Sequence, residues 1–237
     1  MKRFGMIVDL AACVGCGACD IACKTENNTP LGIDWSFHEI KTSGVFPNLN
    51  YEYIPKLCNH CEDAPCVAAC PTGAMFTNHD FGITEHDANL CIGCRACMVA
   101  DPYDVIYFNE DQGHIEWTDT SVLVEGATSS KKELADATQT PFPNINMERG
   151  SNYEAMRPKG IVEKCNFCSH ITIHGEQPHC VVACPAGARI FGDLDDESSL
   201  IATTLKQNDY EVLLQEKGTK PKVFYIRSYQ KEGRNRV

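Results

Sequence analysis

The 237-residue chain has no run of about 18 apolar residues, the length needed to cross a bilayer, so it reads as soluble by itself. It is short of positive charge. Against 32 Asp and Glu stand only 21 Lys and Arg, a formal net charge of −11, which argues against a nucleic-acid partner because phosphate binding needs clustered cations. The N-terminus MKRFGMIVDLAAC reaches a cysteine motif with no secretory segment before it. No P-loop, no GxGxxG after a strand, no GxSxG and no HExxH is present, so no substrate site is legible. The acidic pair Asp195 and Asp196 opens an expected helix and reads as capping rather than acid/base chemistry. A fully paired disulfide scheme also fails to close, since 15 cysteines leave one thiol over.

What the chain does have is cysteine in register. Cys13, Cys16, Cys19 and Cys23 follow C-x2-C-x2-C-x3-C; Cys58, Cys61, Cys66 and Cys70 follow C-x2-C-x4-C-x3-C and end in Pro71. Cys91, Cys94 and Cys97 form a third run, with Asp101-Pro102 in the fourth place. Cys165, Cys168, Cys180 and Cys184 form the last, with an insertion before Cys180 and Pro185 at its end. These 16 slots take all 15 cysteines. A cubane cluster needs thiolates converging on one cage, and a tight C-x2-C-x2-C loop supplies three of them. The fourth cysteine of such a run ligates the other cluster of a two-cluster unit, and the three-residue step sets it on a short helix facing away from the first cage. Proline then stops that helix. Four runs thus build four clusters. Structural zinc would need two Cys-x2-Cys pairs and would explain neither the third cysteine nor the proline.

An internal repeat agrees. Cys70-Pro71-Thr72-Gly73-Ala74 recurs as Cys184-Pro185-Ala186-Gly187-Ala188, and each precedes an extended-looking stretch, Met75 to Thr77 and Arg189 to Gly192. The third copy is Asp101-Pro102-Tyr103-Asp104-Val105, followed by the strand signal Ile106-Tyr107-Phe108. Asp104 is tolerable in the glycine position because Asp is enriched at positive φ. Three chemistries remain open for the odd site: Asp101 ligates iron, one iron is missing and the cluster is 3Fe-4S, or water completes it.

The motifs CVGCGACDIACKTENN, CNHCEDAPCVAACPTGA, CIGCRAC and EKCNFCSH…PHCVVACPAGARIFGDLDD, with the tail TKPKVFYI, resemble the four-cluster iron-sulfur (beta) subunits of the molybdopterin oxidoreductases, over about residues 4 to 228. The resemblance is to the dimethyl sulfoxide, polysulfide, tetrathionate and respiratory arsenate reductase group, and looks closest to the arsenate or polysulfide branch. It implies an α+β fold of two bacterial-ferredoxin-like 4Fe-4S halves related by a pseudo-twofold, with inserted strands and a long interface loop. On that plan residues 1–237 are a single iron-sulfur subunit. The outer half takes 1–35 and 160–195, the inner half 50–110, an interface insertion 111–160, and a C-terminal helix and strand 193–237. Carried over by position, Cys13, Cys16, Cys19 and Cys184 would hold one cluster and Cys165, Cys168, Cys180 and Cys23 the next. Cys91, Cys94, Cys97 and Cys70 would hold a third, and Cys58, Cys61, Cys66 and Asp101 the fourth, as 4Fe-4S with an Asp ligand or as 3Fe-4S. The implied role is non-catalytic: electron transfer between a molybdopterin catalytic subunit and a membrane quinone-linked subunit or cytochrome in anaerobic respiration. The implied compartment is the periplasm, by co-export with the catalytic partner, the cytoplasm being the alternative. A freely diffusing polyferredoxin is the rival function, and the cysteine-free stretch between Asp101 and Cys165 argues against it.

Other segments carry weaker expectations. Val105 to Asn109 and His114 to Thr118 read as a hairpin within an otherwise turn-rich stretch of little periodicity. Ser36 to Thr42 and Tyr51 to Pro55, around SGVFPNLN, read as strands that shield a cluster. DLDDESSLIATTLKQ reads as a helix with an acidic first turn, and Lys222 to Arg227 as a strand. His60 and His170 stand beside ligand cysteines, as possible donors to sulfide; Lys24, Arg95 and Lys164 flank others and can tune potentials.

Overall fold

In the computed structural model the described residues are 1–29, 32–110, 122, 124–139 and 158–227. The first strand, β1 (Phe4–Asp9), is buried along its whole length. Its apolar sequence follows from being flanked on both edges and covered on both faces. Four-stranded pairing runs β8 (Arg189–Asp193), β1, β10 (Val223–Ile226), β9 (Tyr210–Glu211), with β10 parallel to β1 and β8 antiparallel. Alternate side chains separate two cores. Phe4, Met6 and Val8 face the larger one, whereas Ile7 meets Ile201 and Ile226 on the other side.

Ile201 belongs to a helix, Leu200–Gln207, begun by Ser199, whose side chain accepts the Ala202 N–H at 3.1 Å. The acidic residues expected in its first turn lie before it. Asp196 accepts from the Ser198 N–H and hydroxyl at 2.9 and 2.7 Å, closing its own turn ahead of the cap.

Three two-stranded pairs complete the strands among the described residues. β2 (Ser36–Val45) and β3 (Asn48–Leu57) form a hairpin longer than the sequence indicates. Its base, Ser36 and Leu57, is buried, while Val45 and Phe46 at the tip are 80% and 82% exposed. The hairpin therefore covers the cysteines only at its base. β4 (Met75–Asn78) pairs with β5 (Ile83–His86), and β6 (Ile106–Phe108) with β7 (Val162–Lys164). The second arm expected for β6, residues 114–118, lies outside the described residues. β7 partners β6 because Ile106 and Val162 share a small core with Met75, Cys66 and Cys97. Within the stretch expected to lack periodicity stands a helix, Lys131–Thr138. A capping box starts it: Glu133 accepts the Ser130 N–H at 2.8 Å and Ser130 Oγ accepts the Glu133 N–H at 3.3 Å.

The helices that bear cysteines are short. α1 (Ala18–Asn27) carries Cys19 and Cys23 one turn apart, α2 (Pro65–Ala68) carries Cys66, α3 (Ala96–Ala100) carries Cys97, and a further turn, His179–Val182, carries Cys180. Proline opens α2 where its missing N–H costs nothing.

Candidate metal centre

The C-x2-C-x2-C loops need backbone in the left-handed region. Gly15 has φ 67°, and a side chain there would run into the ring of Tyr53. Gly17, the residue before α1, has φ 73°, and Arg95 takes the same place before α3 at φ 62°. None of the fifteen cysteines is in a disulfide.

Cysteines from different runs come together. Cys13, Cys16, Cys19 and Cys184 line one cavity together with His38 and Arg189. Cys70, Cys91, Cys94 and Cys97 line another. Burial pushes the Cys23 thiol well up, and the charges of Cys165, Cys180 and Cys168 push it further. Burial likewise lifts Cys66 to about 12, with Cys58, Asp101 and Cys61 adding to it and Lys164 opposing. Thiols raised mutually in this way are a convergent set that neutral water does not stabilise as anions. A bound metal or iron-sulfur cluster does, because it takes thiolates as ligands and supplies the compensating charge.

The chain also orients the sulfurs. Ala188 N–H donates to Cys184 Sγ at 3.2 Å, Met75 N–H to Cys70 Sγ at 3.4 Å, and Phe167 N–H to Cys165 Sγ at 3.4 Å. Asp101 receives the same treatment: Val105 N–H donates to Oδ2 at 2.9 Å and Tyr103 N–H to Oδ1 at 3.3 Å. Burial raises the Asp101 pKa, against the pull of those two donors and of Lys164. Asp104 has φ 55°, beside 72° and 59° at Gly73 and Gly187, so the turn keeps its shape without glycine.

His60 is fully buried and stacks on Phe167 with centroids 3.7 Å apart. Its Nδ1 accepts the Thr84 N–H at 3.2 Å, which leaves the proton on Nε2, and Nε2 has no partner among the described residues. Burial, then the charges of Lys164 and Lys222, hold this imidazole neutral, well below its ordinary pKa. A buried orphan donor beside Cys58 and Cys61 fits a site built around an acceptor-rich group such as a sulfide cage. His170 instead turns to Glu26, Nε2 to Oε1 2.5 Å. Lys24 pairs with Asp34 at 2.6 Å, and Arg95 lies over the Phe108 ring at 3.7 Å. Lys164 is 3% exposed and donates to the carbonyls of Thr84 and Cys165.

Three polar residues of the site escaped the sequence reading. Arg189 is 3% exposed and feels the charges of Cys180 and Cys19, so it lies between two thiol groups. His38 Nε2 is 3.9 Å from Cys13 Sγ and 4.0 Å from Cys19 Sγ, and its Nδ1 is 2.5 Å from Asp20 Oδ2. The Asp20 hydrogen bond, followed by those to Cys13 and Cys19, pushes His38 up to about 11. Burial works to raise Asp20, yet His38 and Ser36 bring it below its ordinary value. The only signal available beforehand was that each residue stands in or beside a ligand motif or its covering strand.

Two descriptions of a 4Fe-4S dicluster domain match the chain, at residues 12–74 and 49–125. The arsenate respiratory reductase iron-sulfur subunit of Shewanella sp. (strain ANA-3) is 51% identical over 96% of this chain and 97% of its own length. The chain belongs to the iron-sulfur, electron-transfer subunits of the anaerobic respiratory reductases. Another relative is the putative dimethyl sulfoxide reductase iron-sulfur subunit of Halobacterium salinarum, 39% identical over 99% of this chain and 82% of that one. A tetrathionate reductase subunit of Salmonella typhimurium is 34% identical over 94% of this chain and 72% of its own. No helix among the described residues is long and apolar enough to cross a membrane.

Proposed function

We propose that this subunit holds four clusters and relays electrons between a molybdopterin catalytic subunit and a membrane quinone-linked subunit or cytochrome, in a complex of arsenate or polysulfide type. Cys13, Cys16, Cys19 and Cys184 hold the first cluster, and Cys165, Cys168, Cys180 and Cys23 the second. Cys58, Cys61, Cys66 and Asp101 hold the third, and Cys91, Cys94, Cys97 and Cys70 the fourth. When bound, such clusters supply one-electron redox centres.

What supports this reading most is the proximity of successive groups. Cys19 acts on Cys180, and Cys58 acts on Cys165, so the first group neighbours the second and the second the third; α2 packs on α3 and joins the third to the fourth. Only the end groups have an exposed cysteine, Cys16 and Cys94. Exposed apolar residues stand beside each: Val14 and Ile21 at one end, Ile92 and Val99 at the other. Between the ends the chain excludes water, aims N–H groups at the sulfurs and lodges Arg189 and Lys164 where anionic thiolates gather. The repeated Cys184–Ala188 and Asp101–Val105 bonds support two halves of like construction, related by a pseudo-twofold. Near-full-length likeness to reductase subunits favours a fixed partner over a diffusing polyferredoxin. The compartment that goes with this reading is the periplasm, entered together with the catalytic partner.

Anaerobic purification of the complex tests it. A brown heterodimer with a pterin-bearing subunit and about 16 irons per chain is the expected result. A monomer that reduces unrelated enzymes, or zinc in place of iron, would overturn it, and cell fractionation checks the compartment.

A further inference from the structure

Beneath the hairpin base four polar side chains form one hydrogen-bonded line. Arg189 Nη2 donates to Ser36 Oγ at 2.9 Å, and Ser36 Oγ donates to Asp20 Oδ1 at 2.9 Å. Asp20 Oδ2 meets His38 Nδ1 at 2.5 Å, and His38 Nε2 faces the sulfurs of Cys13 and Cys19 at 3.9 and 4.0 Å. The His38 side chain is 9% exposed and that of Asp20 19%. These contacts fix where the protons are. An Asp20 carboxylate that already accepts from Ser36 can only accept from Nδ1, so Nδ1 carries a hydrogen. Thiolates that ligate a metal have no hydrogen to give, so a bare Nε2 lone pair set against two of them would be repelled; with a hydrogen it is attracted to both.

Cys19, Asp20 and His38 lie close enough together to hold a metal ion by themselves. Cys19, however, is shared with the cavity of Cys13, Cys16 and Cys184, and the short Asp20–His38 contact leaves the histidine as a donor toward sulfur rather than a ligand.

We propose that His38, oriented by Asp20, is a positioning residue that donates Nε2–H to Cys13 and Cys19 and thereby raises the reduction potential of the terminal cluster at the exposed Cys16 end. The inference rests on the reading of those four cysteines as a cluster site. Reduction adds one negative charge to the cage and its thiolates, and an N–H donor aimed at two of the sulfurs stabilises that added charge more than the oxidised state. Asp20 holds the ring so that the donor stays between both sulfurs, and Ser36 and Arg189 hold Asp20. The other groups have side-chain partners of their own, such as Asn27 Nδ2 donating to Cys23 Sγ at 3.5 Å and Thr72 Oγ1 at 3.7 Å from Cys70 Sγ, whereas His38 reaches the sulfurs of Cys13 and Cys19, so its effect is local to one cluster.

EPR-monitored redox titration of the purified complex tests this, with wild type beside His38→Phe, His38→Gln and Asp20→Asn. Cys16→Ser identifies the terminal signal as the one it alters. In His38→Phe that signal's midpoint is expected to fall by at least a tenfold change in the reduced-to-oxidised ratio, 59 mV for a one-electron couple. His38→Gln, which keeps a neutral N–H, should restore part of the loss, and Asp20→Asn should fall between wild type and His38→Phe. The other three midpoints should stay in place. An unchanged terminal midpoint in His38→Phe, equal shifts in all four signals, or loss of the cluster in all three variants would overturn the assignment. Wild-type iron content and the wild-type terminal signal test the cluster reading separately, and their absence would sink that reading and this inference with it.

Discussion

The Val105 N–H donates to Asp101 Oδ2 at 2.9 Å, four residues on, and the Ala188 N–H donates to Cys184 Sγ at 3.2 Å, also four residues on. The carboxylate thus occupies the thiolate's place in the turn, down to the backbone donor that holds it. Because each oxygen keeps a free lone pair, the carboxylate can still bind iron.

Replacing Asp101 by Cys should therefore give a four-iron cluster that withstands ferricyanide oxidation better than wild type, since a thiolate is the softer ligand. Asp101→Ala should yield a three-iron EPR signal as isolated. It should also lower the stability by about 1–3 kcal/mol, because the Val105 and Tyr103 N–H groups lose their acceptor.

Phe167 is 1% exposed, touches Phe191 with centroids 5.3 Å apart and stacks on His60. Phe167→Ala should cost about 3–5 kcal/mol, read from the urea midpoint of cluster-loaded protein. Phe167→Leu should recover most of it.

A buried cation between two anionic groups stabilises both in their reduced forms. Arg189→Met, similar in bulk, should lower the midpoints of the first two clusters and leave those at the Cys94 end unmoved in a redox titration.

Acid should destabilise the fold through histidines buried neutral. Burial, then Lys164, depresses His86 to about 4, from an ordinary 6.5. Between those values the unfolded chain binds a proton that the folded chain refuses, so stability is full above 6.5 and declines as pH falls toward 4. His86→Gln should flatten this slope in denaturation midpoints measured across that window. His60, depressed for the same reason, will leave part of it.

Gly15→Ala should abolish the first cluster's signal and spare the others. It forces a β-carbon into the Tyr53 ring at a φ that costs other residues about 1–2 kcal/mol.

Local features were legible in the sequence. The runs, the Cys-Pro turns, β4, β6 and β8 depend on a few consecutive residues, and so does the positive φ at Asp104. The length of the β2–β3 hairpin was harder, because Ser43 to Leu49 has the composition of a turn yet pairs across the ribbon from Ser43↔Asn50 to Val45↔Asn48. The acidic run before the Leu200 helix reads as part of it because dipole and cap signals favour the same residues, and only the Ser199 side chain settles the start. Asp20, His38 and Arg189 were missed for a different reason. Arg189 meets Ser36 across 153 positions, and His38 meets Cys13 across 25, and no local pattern encodes such pairs. The place of Lys164 beside Cys165 is legible in the sequence but its burial is not, since that depends on Thr84, 80 positions away, offering its carbonyl.

The cavity shared by Cys13 and Cys184 has a consequence for biosynthesis. A ribosome adding roughly 5–20 residues each second exposes the first loop about ten seconds or more before it has made the last thiol. β1 waits still longer for its parallel neighbour β10. For that interval Cys13, Cys16 and Cys19 form an unfinished claw, open to stray zinc and to oxidants. If Cys13, Cys16, Cys19 and Cys184 hold one cage, its loading has to wait until Cys184 has been made, and keeping oxygen away protects the nascent chain as well as the finished one.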